Sequence, residues 1–205
     1  MKVLAIDTTG WSSSVALWED GEELSFQENT QERHQAAILP QLTKDVLGSH
    51  KADLLLVNIG PGSFTGIRVG LAFTKGFSMG TSTPLKGINS FVATYKSLCT
   101  QEDVLVLREA HRQDVFAMLF QNGIPQPPQS LRREDIETIL KMHSPPFLAG
   151  TGLHPFLDGL SFQELSSPWR GAQEVAYAFF KDPSLASDPT PFYVRDADVS
   201  LPKGV

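Results

Sequence analysis

The sequence predicts a mixed α/β fold built twice over, and three observations carry that expectation. The chain opens on three short strand-like stretches, residues 3–6, 13–18 and 24–27, and an acid, Asp7, closes the first of them. A fourth run, residues 53–59, ends in the turn Gly60-Pro61-Gly62 and feeds a helix-like stretch that reaches Gly80. The succession of paired strands, helix, strand and helix then recurs about 100 residues further on, with little residue identity between the halves.

Each element has a local reason. The first run is a buried-strand pattern followed by the turn Thr8-Thr9-Gly10, and Asp20-Gly21 is a strong hairpin signal between the second and third strands. The segment from Gln31 to Leu47 places Ile38, Leu42 and Val46 on one face at helical spacing, and Gly48 ends it. Pro40 fits there only near the first turn or as a kink. Residues 84–88 read as a strand, and Ser90 as the cap of a helix to about Cys99. Strands are expected over 104–107 and 114–120, an extended loop over 123–128, a helix over 133–141, a strand over 146–149 and a helix over 171–181. The tail from Asp182 carries four prolines and reads as an arm along the surface. These segments divide into a unit over residues 1–100 and a smaller one over 101–205.

Composition narrows the function. With 41% hydrophobic and 20% charged residues, a chain of 205 can bury a sizeable core. A net charge of −6 argues against gripping nucleic acid unaided, because phosphate neutralisation needs clustered Lys and Arg. One cysteine, Cys99, excludes an intrachain disulfide and suits a reducing compartment. Asp7 comes too early for a signal peptide and no apolar run approaches about 20 residues, so a cytoplasmic protein with no membrane association is expected.

The turn at residues 60–63 supports two readings. Backbone N–H groups at a helix start can hold an anion, which makes Asp7, Gly60, Gly62 and Ser63 weak candidates for a nucleotide phosphate site. The pattern matches neither a P-loop nor a dinucleotide fingerprint, however, and Pro61 removes a donor. A tight turn feeding a close-packed helix is the favoured reading. Glycines 62, 66 and 70 are four apart, and glycine costs about 1 kcal/mol in a helix interior. Close approach of another backbone is the usual offset. Between Gly66 and Gly80 only Arg68 and Lys75 are charged, so the helix is expected to be covered on two sides.

Other chemistry is thin. His34 has the apolar Ile38 four residues on, where a helical metal site would want a second ligand, so no metal is expected. His50, His111, His143 and His154 are scattered, Cys99 has no neighbouring base, and Gly150-Thr151-Gly152 reads as a turn. Glu109, His111, Arg112 and Asp114 read as a solvated hairpin. No catalytic residue and no cofactor emerge.

Three opening strands with an acid at the end of the first resemble the start of the actin, sugar-kinase and Hsp70 superfamily, in which that acid helps place a metal-bound nucleotide phosphate. A closer resemblance follows from Ala5-Ile6-Asp7-Thr8-Thr9, Ser14-Val15-Ala16-Leu17, the stretch from His34 to Leu42, and Gly60-Pro61-Gly62-Ser63-Phe64-Thr65-Gly66-Ile67-Arg68-Val69-Gly70. Together these resemble the TsaB (YeaZ) family, collinearly over roughly the first 95 residues. The second half matches loosely, through Gly150-Thr151-Gly152 and Tyr193-Val194-Arg195. The family's Asp-Ala-Arg…Glu-Val-Tyr pattern is altered here to the stretch from Glu109 to Phe116, so no role of that turn is carried over.

The resemblance implies an actin-like (ribonuclease H-like) duplicated α/β fold, mixed sheets with flanking helices and a shortened second half. It also implies a non-catalytic subunit of the system that installs threonylcarbamoyladenosine next to the tRNA anticodon. In that family the transfer is done by TsaD, a paralogue with a two-histidine metal site. TsaB pairs with it through its first two helices, and the ATPase TsaE joins the pair. Contact with tRNA would come only through the complex, and a homodimer is conceivable for the isolated chain. The residues expected at a helical partner interface are His34, Ile38, Leu42, Gly66, Gly70 and Phe73. A small actin-like ATPase or phosphotransferase using Asp7 is the alternative, and a glycoprotease-like peptidase the least supported one.

Overall fold

Residues 3–6 are apolar without interruption because the strand they form is buried on both faces. The computed structural model describes residues 1–31, 34–110, 114–142, 146–151 and 156–195. Its first half comprises β1 (Lys2–Asp7), β2 (Ser13–Glu19), β3 (Glu22–Asn29), α1 (Gln35–Leu47), β4 (Leu54–Asn58), α2 (Phe64–Thr81), β5 (Leu85–Ile88) and α3 (Ser90–Ser97). The strands form a sheet of order β3-β2-β1-β4-β5, antiparallel from β3 to β1 and parallel from β1 to β5. Asp20 and Gly21 make the two-residue β2–β3 turn, both with positive φ, which is what a tight hairpin of this hand needs.

The second half repeats the plan. It comprises β6 (Val104–Glu109), β7 (Asp114–Gln121), β8 (Ile124–Pro125), β9 (Gln129–Arg132), α4 (Arg133–Leu140), β10 (Phe147–Gly150) and α5 (Ala172–Lys181). As β1 pairs antiparallel with β2 and parallel with β4, so β6 pairs antiparallel with β7 and parallel with β10. Among the described residues the second sheet has no counterpart of β5 beyond β10.

Alternation along β1 sets the layers. Val3 and Ala5 face α5 with Val175, Ala176 and Phe179, while Leu4 and Ile6 face α1 with Leu39, Leu42 and Val46. In the second sheet Val104, Val106 and Phe120 pack on Phe91 and Tyr95 of α3, and Leu105 and Leu107 pack with Ile136 of α4. Helices α3 and α5 therefore lie between the two sheets and pack on each other. Among the described residues no helix is long and apolar enough to cross a membrane.

Two local expectations are corrected, and a third is refined. The cap of α3 is Asn89, whose carbonyl oxygen accepts from Phe91 N–H at 2.8 Å, and Ser90 is the first helical residue. The proline-rich stretch after β7 holds part of an edge: Ile124–Pro125 and Gln129–Arg132 both pair with β7. A proline is compatible with that position because an edge strand has one side without ladder bonds. The tail does run along the surface, and it is tied down at points. Ser187 exchanges two backbone hydrogen bonds with Gly87, Phe192 N–H donates to Ile59 O at 2.8 Å, and Arg195 pairs with Asp114 of β7 at 2.5 Å.

Candidate functional site

The elements converge on a polar junction at the mouth of the space between the sheets. Asp7 ends β1 and is 6% exposed. Its Oδ1 accepts from Thr9 N–H and from Thr9 Oγ1, both at 2.7 Å, and its Oδ2 accepts from Asn58 Nδ2 at 2.8 Å. Asn58 ends β4, and its Oδ1 accepts from Ser90 Oγ at 2.6 Å and from Gly60 N–H at 3.0 Å. Asp7 thus closes its own turn and ties two strand ends together.

Three backbone donors of the glycine turn and helix start are engaged within the chain. Ser63 N–H donates to Thr9 O at 2.7 Å, and Gly66 N–H to Ser63 Oγ at 3.1 Å, the helix cap. With Gly60 N–H held by Asn58 and no N–H on Pro61, these groups serve the chain itself. A Cβ at Gly62 would lie 2.3 Å from Thr9 O, and one at Gly66 only 1.9 Å from Thr8 O. At Gly70 it would lie 2.4 Å from Thr8 Oγ1. The approaching backbone that the glycines imply is the β1–β2 turn of the same chain.

Sequence reasoning missed the second part of the junction. Arg108 of β6, only 7% exposed, donates through Nη2 to Glu174 of α5 at 2.9 Å, to Ser90 O at 3.1 Å and to Thr94 Oγ1. Burial pushes the Glu174 carboxyl above its ordinary range, and the Arg108 charge and hydrogen bond pull it back. An Arg directly after the apolar run Val104–Leu107 and a lone Glu in the apolar α5 were the available signals, since charges on buried elements need partners. Nothing in the sequence says that they meet across 66 positions.

A cleft of about 340 Å³ opens above this junction, lined by Asp7, Trp11, Glu28, Arg108, Glu109 and Arg170 among others. Two contacts cross it. Trp11 Nε1 donates to Glu109, and Arg170 Nε donates to Glu28 at 2.8 Å. Four carboxylates and two guanidinium groups in or beneath the cleft, counting Glu174, make a poor setting for a polyphosphate.

The residues expected at a partner interface separate. Leu42, Gly66 and Gly70 are buried inside the chain. Ile38 and Phe73 are half-buried on the α1–α2 side, with Phe73 stacked on Phe77 at 6.0 Å, and His34 is exposed at the start of α1 with a positive φ. The chain itself covers α2 on its inner side, and Thr65, Arg68, Ala72, Lys75, Gly76 and Met79 on its outer side are all exposed. Inward glycines let the apolar rest of the helix sit deep, which leaves a polar-to-apolar outer stripe in solvent. Among the described residues no group of three or more His, Cys, Asp or Glu side chains could hold a metal. His111, Arg112, His143, Gly152 and His154 lie outside the described residues.

Comparison with known proteins agrees with this architecture. Residues 27–124 match the family model of TsaD, tRNA N6-adenosine threonylcarbamoyltransferase. The chain is similar to the tRNA threonylcarbamoyladenosine biosynthesis protein TsaB of Escherichia coli, 28% identical over 98% of this chain and 82% of that one. The protein of the same name from Haemophilus influenzae is 33% identical over 57% of this chain and 52% of its own. YeaZ from Pseudomonas aeruginosa superposes with a TM-score of 0.70 at 20% identity, over 94% of this chain and 99% of that one. The duplicated mixed sheets with their shared inner helices are the actin-like fold, and these likenesses together support assignment of the chain to the TsaB (YeaZ) family.

Proposed function

We propose that this protein is a non-catalytic scaffold subunit in the biosynthesis of threonylcarbamoyladenosine on tRNA, pairing with and activating a TsaD-like catalytic paralogue. The pathway comes from the shared name of its relatives. One observation carries the scaffold role: the polar groups at the fold's natural ligand cleft bond one another, while the outer face of α2 stands in solvent beside half-buried Ile38, Val69 and Phe73. Apolar surface of that kind is what a protein interface covers. Pairing takes place across α1 and α2, a TsaE-like ATPase joins the pair, and tRNA is met only through the assembly. The site of action is the cytoplasm.

Recovery of the tagged chain from its own cells, with bound proteins weighed by mass spectrometry, tests this. The TsaD-like paralogue is expected in near-equal amount. A chain recovered alone that binds ATP and magnesium calorimetrically would favour the ATPase alternative built on Asp7 instead.

A further inference from the structure

The outer face of α2 has a charge and a period that specify what covers it. Thr65, Arg68, Ala72, Lys75 and Met79 are all exposed, Met79 at 83%, and they follow one another at intervals of three and four. That is the seam spacing of one helix packed along another. The helix has no acidic residue from Phe64 to Thr81, in a chain whose net charge is −6. Arg108, Arg133, Arg170 and Arg195 each hold a carboxylate. Among the described residues no carboxylate pairs with Arg68 or Lys75. Arg68 is nevertheless held in place: its guanidinium lies 3.8 Å over the Phe64 ring, and its Nε donates to Tyr193 Oη at 3.4 Å. Phe64 and Tyr193 in turn pack with ring centroids 5.1 Å apart and planes tilted by 34°, so the C-terminal arm presents the arginine.

We infer that this stripe takes an amphipathic helix of a different protein, one that carries two carboxylates about seven residues apart. The inference rests on the reading of α2 as the partner-facing helix and adds the partner's chemistry. A second copy of this chain fits poorly, because a two-fold pairing of the stripe would set Arg68 and Lys75 against like charges. The exposed side of α1 offers Lys44 and Asp45 together and no net charge to offset them. Nucleic acid fits poorly too, since two cations neutralise too few phosphates.

The test titrates wild type, the double variant Arg68→Glu/Lys75→Glu and the variant Ala72→Trp against the purified TsaD-like paralogue, at low and high salt. All three altered side chains are exposed, so matching thermal melts are expected. The charge reversal should weaken binding by about 30-fold or more at low salt, and wild-type affinity should fall as salt rises. If Ala72→Trp blocks pairing while the charge reversal leaves it intact, the face is right and the acidic helix is wrong. If neither variant matters, the α2 interface itself fails. A wild-type chain that sediments as a dimer broken by Ala72→Trp would make the occupant a second copy and overturn the inference.

Discussion

On its inner side α2 brings Gly66 and Gly70 against Thr8, where a methyl group would come within 1.9 and 2.4 Å of oxygen atoms; on its outer side Gly76 and Gly80 meet nothing within 4 Å. The inner pair belongs to a junction in which nearly every polar group is bonded, from Thr9 through Asp7, Asn58 and Ser90 to Arg108 and Glu174. The outer pair belongs to a face that the chain leaves unfinished. One residue type on one helix thus has two meanings. Inside, glycine is a steric requirement of the fold. Outside, it has no reason within this chain, and its cost of about 1 kcal/mol is not offset there.

The largest expected effect comes from breaking the closed side at its charged pair. Arg108→Met leaves the Glu174 carboxylate buried without its cation, held only by the Thr94 hydroxyl, and should cost about 3–5 kcal/mol of stability. The sign with pH is definite. Burial already raises the Glu174 pKa above its ordinary 4.5, and removing Arg108 removes the two largest influences that lower it. A raised folded-state pKa stabilises below the unfolded value, and that contribution is lost as pH rises through the folded value. The deficit against wild type should therefore be smallest in acid and grow towards neutrality, as urea denaturation at several pH values would show. A pH-independent deficit would mean that Glu174 is not the group left unpaired.

Next in size is Gly66→Ala. Better helix propensity would favour alanine by about 1 kcal/mol, but its Cβ would overlap the Thr8 carbonyl and displace the β1–β2 turn. Overpacking against backbone should win, with a net loss of about 2–3 kcal/mol. A wild-type melting temperature for this variant would break the contrast between the two sides of the helix.

This contrast also marks where the sequence was legible. Local signals placed β1 to β3, the Asp20-Gly21 hairpin, α1, α2 and the recurrence of the pattern, because each depends on turn chemistry or periodicity within a few residues. The glycines announced a close approach, but not what approaches. A spacing of four names a face and leaves its neighbour open, and the neighbour proved to be Thr8, 58 positions away from Gly66. Edge strand β9 was missed because its residues Gln129–Arg132 are mostly exposed and show no apolar alternation. The Arg108–Glu174 pair was missed for a different reason, since a charge on a buried element signals a partner without naming it.

The smallest expected effect probes the open side. Gly76→Ala adds a methyl group to a helix interior where nothing lies within 4 Å, at a backbone conformation that alanine prefers. It should raise stability by about 1 kcal/mol, which for a domain of this size is about 2–4 °C in melting temperature. The same methyl group sits one turn from Ala72 on the outer face, so a helix packed there would have to move away to accommodate it. A variant that melts higher than wild type and pairs more weakly with the TsaD-like paralogue would give the outer glycine its reason in the partner. A gain in stability with unchanged pairing would place the partner's contact elsewhere along α2, towards Arg68 and the arm.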